Sequence, residues 1–271
     1  MATRMFEGKH HATLYQKYRF APPDELKTLI LDYLDKKKGP PHLLAVDLGC
    51  GTGQNTRLMA PLFKEMVGID VSESQVEEAR AVPGFPNITY RVGTAEKLPF
   101  PDGSVDVILA ASAAHWFHTE NFVKEAGRVL KPLGCLALMG FGKNMEYHYG
   151  NCEGRLTDIF NEFTDALLPY TSKQVAIADS ALQEVLDAIP FPEKERVDNL
   201  PVTYKVPVQN AVGFFESFSM FQAYERADPT AARALLETTQ RRFLEEMGDV
   251  SPEMELDVVL KYFCVLACKP R

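Results

Sequence analysis

The stretch from Leu43 to Thr56 constrains this chain most. Its apolar run reads as a buried strand. The run carries Asp47 near its end and gives way to three glycines at alternate positions, Gly49, Gly51 and Gly53. A helical pattern from Gln54 to Ala60 follows. Strand, glycine turn and helix form the unit by which an open α/β sheet holds a nucleotide-like ligand. Glycine reaches φ > 0 and lets the backbone approach a ligand without an intervening Cβ. The helix start offers N–H groups that have no partner within the helix. A tight turn in another kind of α/β protein is the plainer reading of the glycines taken alone.

The neighbouring strand narrows the choice. A dinucleotide fingerprint needs glycine at its first, third and sixth positions. Counted from Gly49, the sixth position is Gln54, so that fingerprint fails. Met66 to Asp70 is apolar and ends in an acid, about 20 residues beyond the glycine turn, where a carboxylate reaches both hydroxyls of a ribose. Helix capping is the alternative role for Asp70, and Ser72 suits that role equally well.

The run Asp47-x-Gly49-x-Gly51-x-Gly53, with Asp70 beyond it, resembles the first motifs of class I S-adenosylmethionine-dependent methyltransferases. Gly93 to Ile108, through Pro99-Phe100-Pro101-Asp102-Gly103, looks like the adenine-site loop of the same superfamily leading into the fourth strand. Many relatives carry Asp where this chain has Thr94. Ala113-Ala114-His115-Trp116-Phe117 at the fourth-strand tip resembles the branch that holds trans-aconitate methyltransferases. Tyr15 to Pro23 points the same way, although Phe20 and Pro22 depart from that branch's pattern.

The resemblance implies a doubly wound, mostly parallel, seven-stranded α/β sheet of the Rossmann-like methyltransferase kind, in one domain over 1–271. It implies a cofactor-binding core over 43–141, an N-terminal lid over 1–23 and a helical substrate cap over 142–190 and 210–247. It implies S-adenosyl-L-methionine as cofactor, held by Tyr18, Arg19, Asp47, Gly49, Gly51, Gly53, Asp70, Val71, Thr94, Ala95 and Glu96. It places His115 and Trp116 at the reacting end, and a small-molecule acceptor near Tyr15, Tyr147 and Tyr149.

The coarse pattern agrees with such a sheet. Helical spacing of Leu26, Leu29, Ile30, Tyr33 and Leu34 predicts a helix over 24–37. Strands at about 65–70, 87–92 and 105–111 alternate with helices at about 73–80 and 121–130. A strand at 135–140 closes the alternation. Residues 145–189 then read as helical, 199–207 as a strand, 212–224 and 230–247 as two helices, and 256–267 as a last strand. The resemblance implies that the last strand is antiparallel.

Charge and cysteine usage exclude several classes. The net charge is −8, and the one dense basic run, Lys36-Lys37-Lys38, sits at a helix end where cations favour the dipole. A nucleic-acid partner would want a broad basic face. Five scattered cysteines suggest neither a disulfide framework nor a zinc site, and His115 and His118 lack accompanying acids or thiols, so no metal is expected. Met1 to Phe20 has no apolar core of a signal peptide, and no apolar run is long enough for a membrane span. The expectation is a cytoplasmic protein with reduced thiols. Oligomeric state stays open.

A sulfonium methyl needs a nucleophile aligned behind it and water kept away. A carboxylate needs no base at neutral pH, whereas an amine, hydroxyl or thiol generally loses a proton first. His115 is the candidate base; a structural histidine is the alternative. Trp116 either walls the pocket or belongs to the core. Arg19 suits a carboxylate, either the cofactor's or the acceptor's. The aromatic cap favours O-methylation of an acid with a hydrophobic body. An amine, hydroxyl or thiol acceptor, and a catalytically silent cofactor-binding protein, are the alternatives.

Overall fold

A computed structural model describes residues 13–14, 17–152, 154–248 and 251–271. Helix α1 (Asp24–Lys37) opens on Asp24 and Glu25 and ends on Lys36 and Lys37, complementing its dipole, and buries Leu26, Ile30, Tyr33 and Leu34. Strand β1 (Leu44–Leu48) follows, buried from Ala45 onward. Then come α2 (Gln54–Met59), β2 (Glu65–Asp70), α3 (Glu73–Ala81), β3 (Ile88–Val92), β4 (Val105–Ala111), α4 (Thr119–Val129) and β5 (Leu130–Phe141). Strands β1 to β5 pair in parallel, and apolar runs such as Val105–Ala110 are buried because helices cover both faces.

The second half is β6 (Glu146–His148), α5 (Arg155–Ala166), α6 (Lys173–Asp179), α7 (Gln183–Ala188), β7 (Glu193–Pro207), α8 (Val208–Glu216), α9 (Ser219–Ala227), α10 (Pro229–Met247) and β8 (Glu255–Cys268). The sheet order is β3-β2-β1-β4-β5-β8-β6, with β7 on the other edge of β8. Strand β8 runs antiparallel to β5, β6 and β7. The order reverses direction between β1 and β4, and such a switch point opens a crevice beyond the strand C-termini.

Three differences from the sequence expectations have local causes. The sheet has eight strands, because Glu146–His148 adds a short strand to β8 where a helix was expected. The 145–189 segment also divides: Phe160 and Phe163 of α5 join the core on one face, while Leu182, Val185 and Ile189 join the core on the other. The helix expected over 212–224 breaks at Ser217-Phe218, where the Ser217 hydroxyl donates to the Phe214 carbonyl at 2.6 Å and Phe218 turns to extended backbone. The lysine run also does more than favour a dipole. Lys38 pairs with fully buried Asp106 at 2.9 Å, Lys131 pairs with it at 2.9 Å, and the Leu43 and Leu44 amides donate to it at 3.0 and 2.9 Å. All five cysteines are free and buried. Among the described residues, no helix is long and apolar enough to cross a membrane.

Candidate active site

The glycine loop is built from the end of β1. Gly49, Gly51 and Gly53 have φ of 63°, 53° and 81°, all left-handed. Asp47 is fully buried beneath them and accepts from Asn55 Nδ2 at 2.9 Å and Thr56 Oγ1 at 2.6 Å, which fastens α2 to the strand. Burial pushes the Asp47 carboxyl up to about 6 against the pull of those two bonds. The need for glycine is partly internal to the fold. A Cβ on Gly49 would strike the Ala113 side chain, and one on Gly53 would lie 2.8 Å from both Tyr90 Cζ and Arg57 Nη1.

Asp70 stands at the tip of β2. Its Oδ2 accepts from the Gly51 amide at 2.9 Å, its Oδ1 accepts from the Ser72 amide at 2.9 Å, and the Val71 amide adds a third bond. The Ser72 hydroxyl caps α3 by accepting from Gln75 N, so that task does not fall to Asp70. In the loop after β3, Thr94 bridges to Lys97, Ala95 is buried, and Glu96 accepts from the His118 amide at 2.8 Å. Glu96 thereby ties this loop to the turn that carries His115 and Trp116.

Two cavities meet at the strand tips. The smaller, about 50 Å³, is lined by Asp47, Gly49, Gly51, Thr52, Gln54 and Asn55 among others. The larger, about 480 Å³, is walled by His115, Trp116, Met145, Phe160, Phe218 and Phe263, and Lys143, Asp165 and Asp179 line it from exposed positions. Both cavities share Arg19, Ser112, Met139, Gly140 and Phe141. The Arg19 guanidinium donates to the Ser217 carbonyl at 3.3 Å and lies 5.2 and 5.6 Å from the rings of Phe214 and Phe218. The break between α8 and α9 therefore builds the Arg19 seat. Phe20 packs on Tyr204 and Phe214, and the Tyr204 hydroxyl donates to the Ala21 carbonyl at 3.0 Å, which docks the chain just after Arg19.

His115 and Trp116 form a short turn after β4, with ring centroids 4.9 Å apart. Solvent reaches part of the His115 ring through the cavity, yet protein surrounds it, and this burial with nearby Arg19 pushes the imidazole down to about 4. It is therefore neutral at pH 7 and a weak proton acceptor.

The structure does not bring the expected acceptor tyrosines together. Tyr147 is 1% exposed and packs on Phe160, Phe215 and Phe243, because β6 turns it into the core; it lines neither cavity. The Tyr149 hydroxyl contacts Met254 Sδ at 3.6 Å, also away from both cavities. Tyr15 lies outside the described residues. Tyr18 packs against Gly213, where a Cβ would lie 2.6 Å from its ring, and lines neither cavity. Thr52, Gln54, Asn55, Ser112, Met139 and Gly140 do line the smaller cavity and were absent from the sequence expectations. Their common signal is position at or just beyond the C-terminal ends of β1, β4 and β5.

The residues fit a ligand with both polar and ribose-like parts. Among the described residues, the buried Thr52 Oγ1 and Asn55 Oδ1 have no hydrogen-bond partner, and both residues line the smaller cavity. Asp70 keeps further acceptor capacity one strand away.

Residues 46–138 match a family model described as a methyltransferase domain. A protein of Dictyostelium discoideum named as a methyltransferase is 29% identical over 213 residues, covering 79% of this chain and 76% of that protein. A methyltransferase-like protein of Schizosaccharomyces pombe is 41% identical over 97 residues, which span 35% of this chain and 37% of that one. In fold, the chain is similar to a type II methyltransferase structure from Anaeromyxobacter dehalogenans, with a TM-score of 0.73 at 23% identity, covering 94% of this chain and 100% of that one. The matched span holds the glycine loop, Asp70 and His115, and the shared fold continues through nearly all the rest; these similarities support an S-adenosylmethionine-dependent methyltransferase.

Proposed function

We propose that the protein methylates a small organic acid with a hydrophobic body, forming a methyl ester in the larger cavity. The observation that carries this reading is the shared wall of the two cavities, where Arg19 faces both. Bound S-adenosylmethionine supplies an electrophilic sulfonium methyl. The smaller cavity, with Thr52 and Asn55, suits its polar end, and Asp70 suits its ribose. Arg19 balances the negative charge of an acceptor carboxylate at the junction. Trp116, Phe141, Phe160 and Phe218 exclude water and receive the apolar body.

Neutral His115 agrees with this reading. A carboxylate attacks without giving up a proton, so the site needs no strong base. His115 then orients the acceptor by a hydrogen bond. Helices α5, α6 and α9 act as the substrate cap, since residues of each line the cavity, and the docked segment around Arg19 and Phe20 closes it from the N-terminal side.

A second reading is methylation of an amine. Asp165 and Asp179 in the cavity wall favour it, because either carboxylate pairs with an ammonium group. Burial raises the Asp179 carboxyl, while Lys143 opposes that shift.

The test uses S-adenosylmethionine carrying an isotopic label in its methyl group, incubated with the protein and a metabolite extract. An ester releases labelled methanol on mild alkaline hydrolysis. A base-stable labelled product identifies the amine reading instead. No labelled product at all, with cofactor bound, supports a catalytically silent protein.

A further inference from the structure

Tyr90 sits at the middle of β3, directly opposite Gly68 of β2 in the parallel register. Its ring crosses β2 over Gly68. A Cβ on Gly68 would lie 2.6 Å from Tyr90 Cδ1 and 2.8 Å from Cε1. The same ring extends to the glycine loop, where a Cβ on Gly53 would strike its hydroxyl and lie 2.8 Å from Cζ. Real Cβ atoms do not approach so closely. Two glycines separated by 15 positions thus leave room for one side chain.

Beside the phenol lies Arg57, whose Nη1 is also 2.8 Å from the position of a Gly53 Cβ. That Nη1 donates to the Thr52 carbonyl at 2.8 Å. Thr52 lines the smaller cavity, whereas Tyr90 lines neither. From the other side, the Arg80 guanidinium donates to the Tyr90 carbonyl at 2.8 Å and fixes the strand at this residue. The loop is thereby propped from beneath by a residue that lines neither cavity.

We propose that Tyr90 is a positioning residue for S-adenosylmethionine binding, holding Gly53 and, with Arg57, Thr52 in the conformation that the cofactor needs. This rests on the reading of the smaller cavity as a cofactor site. A loop whose three glycines are left-handed has a wide choice of alternative backbone states once its support is removed. A ring filling the space beneath Gly53 and Gly68 removes those alternatives before the ligand arrives. The binding of the cofactor then costs less ordering entropy. On this account Gly68 is glycine to admit the Tyr90 ring.

A double-mutant cycle tests it, with S-adenosylhomocysteine as the calorimetric probe and the thermal midpoint measured on each preparation. Tyr90→Ala weakens binding about tenfold or more, whereas Tyr90→Phe, which keeps the ring, stays within about threefold. Gly68→Ala displaces the ring and weakens binding about tenfold on the native background, but less than about twofold when Tyr90 is already alanine. The loss of affinity exceeds what any fall in thermal midpoint accounts for. Equal effects of Gly68→Ala on both backgrounds would overturn the proposal, as would unchanged affinity in Tyr90→Ala. If Tyr90→Ala does not fold, Gly68→Ala with native affinity overturns it alone. A native protein that binds no S-adenosylhomocysteine refutes the cofactor-site reading itself, which separates the two failures.

Discussion

Asp70 Oδ2 accepts the Gly51 amide at 2.9 Å, across 19 residues of sequence, so the acid at the tip of β2 also fixes the middle of the glycine loop. The carboxylate keeps further acceptor capacity at the strand tip. One residue therefore shapes the loop and, on the functional reading, receives the ribose. Burial raises its carboxyl while the Ser72, Gly51 and Val71 amides oppose that shift.

Asp70→Asn is expected to weaken S-adenosylmethionine binding about tenfold, and Asp70→Ala up to about 100-fold, because charge-assisted bonds are worth about 1.5–3 kcal/mol. Calorimetry on folded variants measures both. Native affinity in Asp70→Ala removes this residue from the cofactor site.

His115 gives a pH prediction. Its folded value of about 4 lies below the ordinary 6.5, so the neutral ring supports the fold fully above pH 6.5. That support is lost as the pH falls from 6.5 through 4. Native stability should therefore fall more steeply over this window than that of His115→Gln, which chemical denaturation at several pH values reads directly. For an acid acceptor, His115→Gln should reduce single-turnover rate by less than about tenfold. A loss of about 100-fold or more assigns it a base role and favours a protonated nucleophile.

The larger cavity is testable by filling it. Ala178 lines it and not the smaller one. Ala178→Phe should raise the acceptor KM about tenfold or more while the cofactor affinity stays within about twofold. Steady-state kinetics with the acceptor found in the labelling experiment measure the split. A weakened cofactor with an unchanged acceptor KM would reverse the assignment of the two cavities.

Asp106 predicts stability and leaves chemistry aside. It is 0% exposed and holds Lys38, Lys131 and the Leu43 and Leu44 amides at the start of β1. Asp106→Ala should cost about 3 kcal/mol, the lower end for breaking a buried pair, since both lysines reach solvent. The thermal midpoint should drop by about 6–12 °C. Although burial opposes it, these partners hold the carboxyl down to about 2, so its contribution is present above the ordinary value of 3.8 and is lost as the pH falls through about 2.

What the sequence determined by itself was local. The order strand, glycine turn, helix is written in adjacent residues, and Asp47, the three glycines and Asp70 follow at fixed offsets along it. Helix α1 was legible because Leu26, Ile30, Tyr33 and Leu34 repeat at helical spacing and have polar neighbours. The sequence left capping of α3 open between Asp70 and Ser72, and the structure gives it to Ser72. Tertiary structure decided what depends on distant parts of the chain. Tyr147 was expected at the acceptor, but pairing of β6 with β8 turned it into a core of phenylalanines from α5, α8 and α10. Arg19 acquired its seat from Ser217 and Phe218, about 200 residues away, at a helix break that the apolar pattern of 212–224 hides. Tyr90 met Gly53 and Gly68 only through strand register. Periodicity reports which residues share a face of one element, whereas cavities form where faces of several elements leave a gap, and that gap exists only after packing.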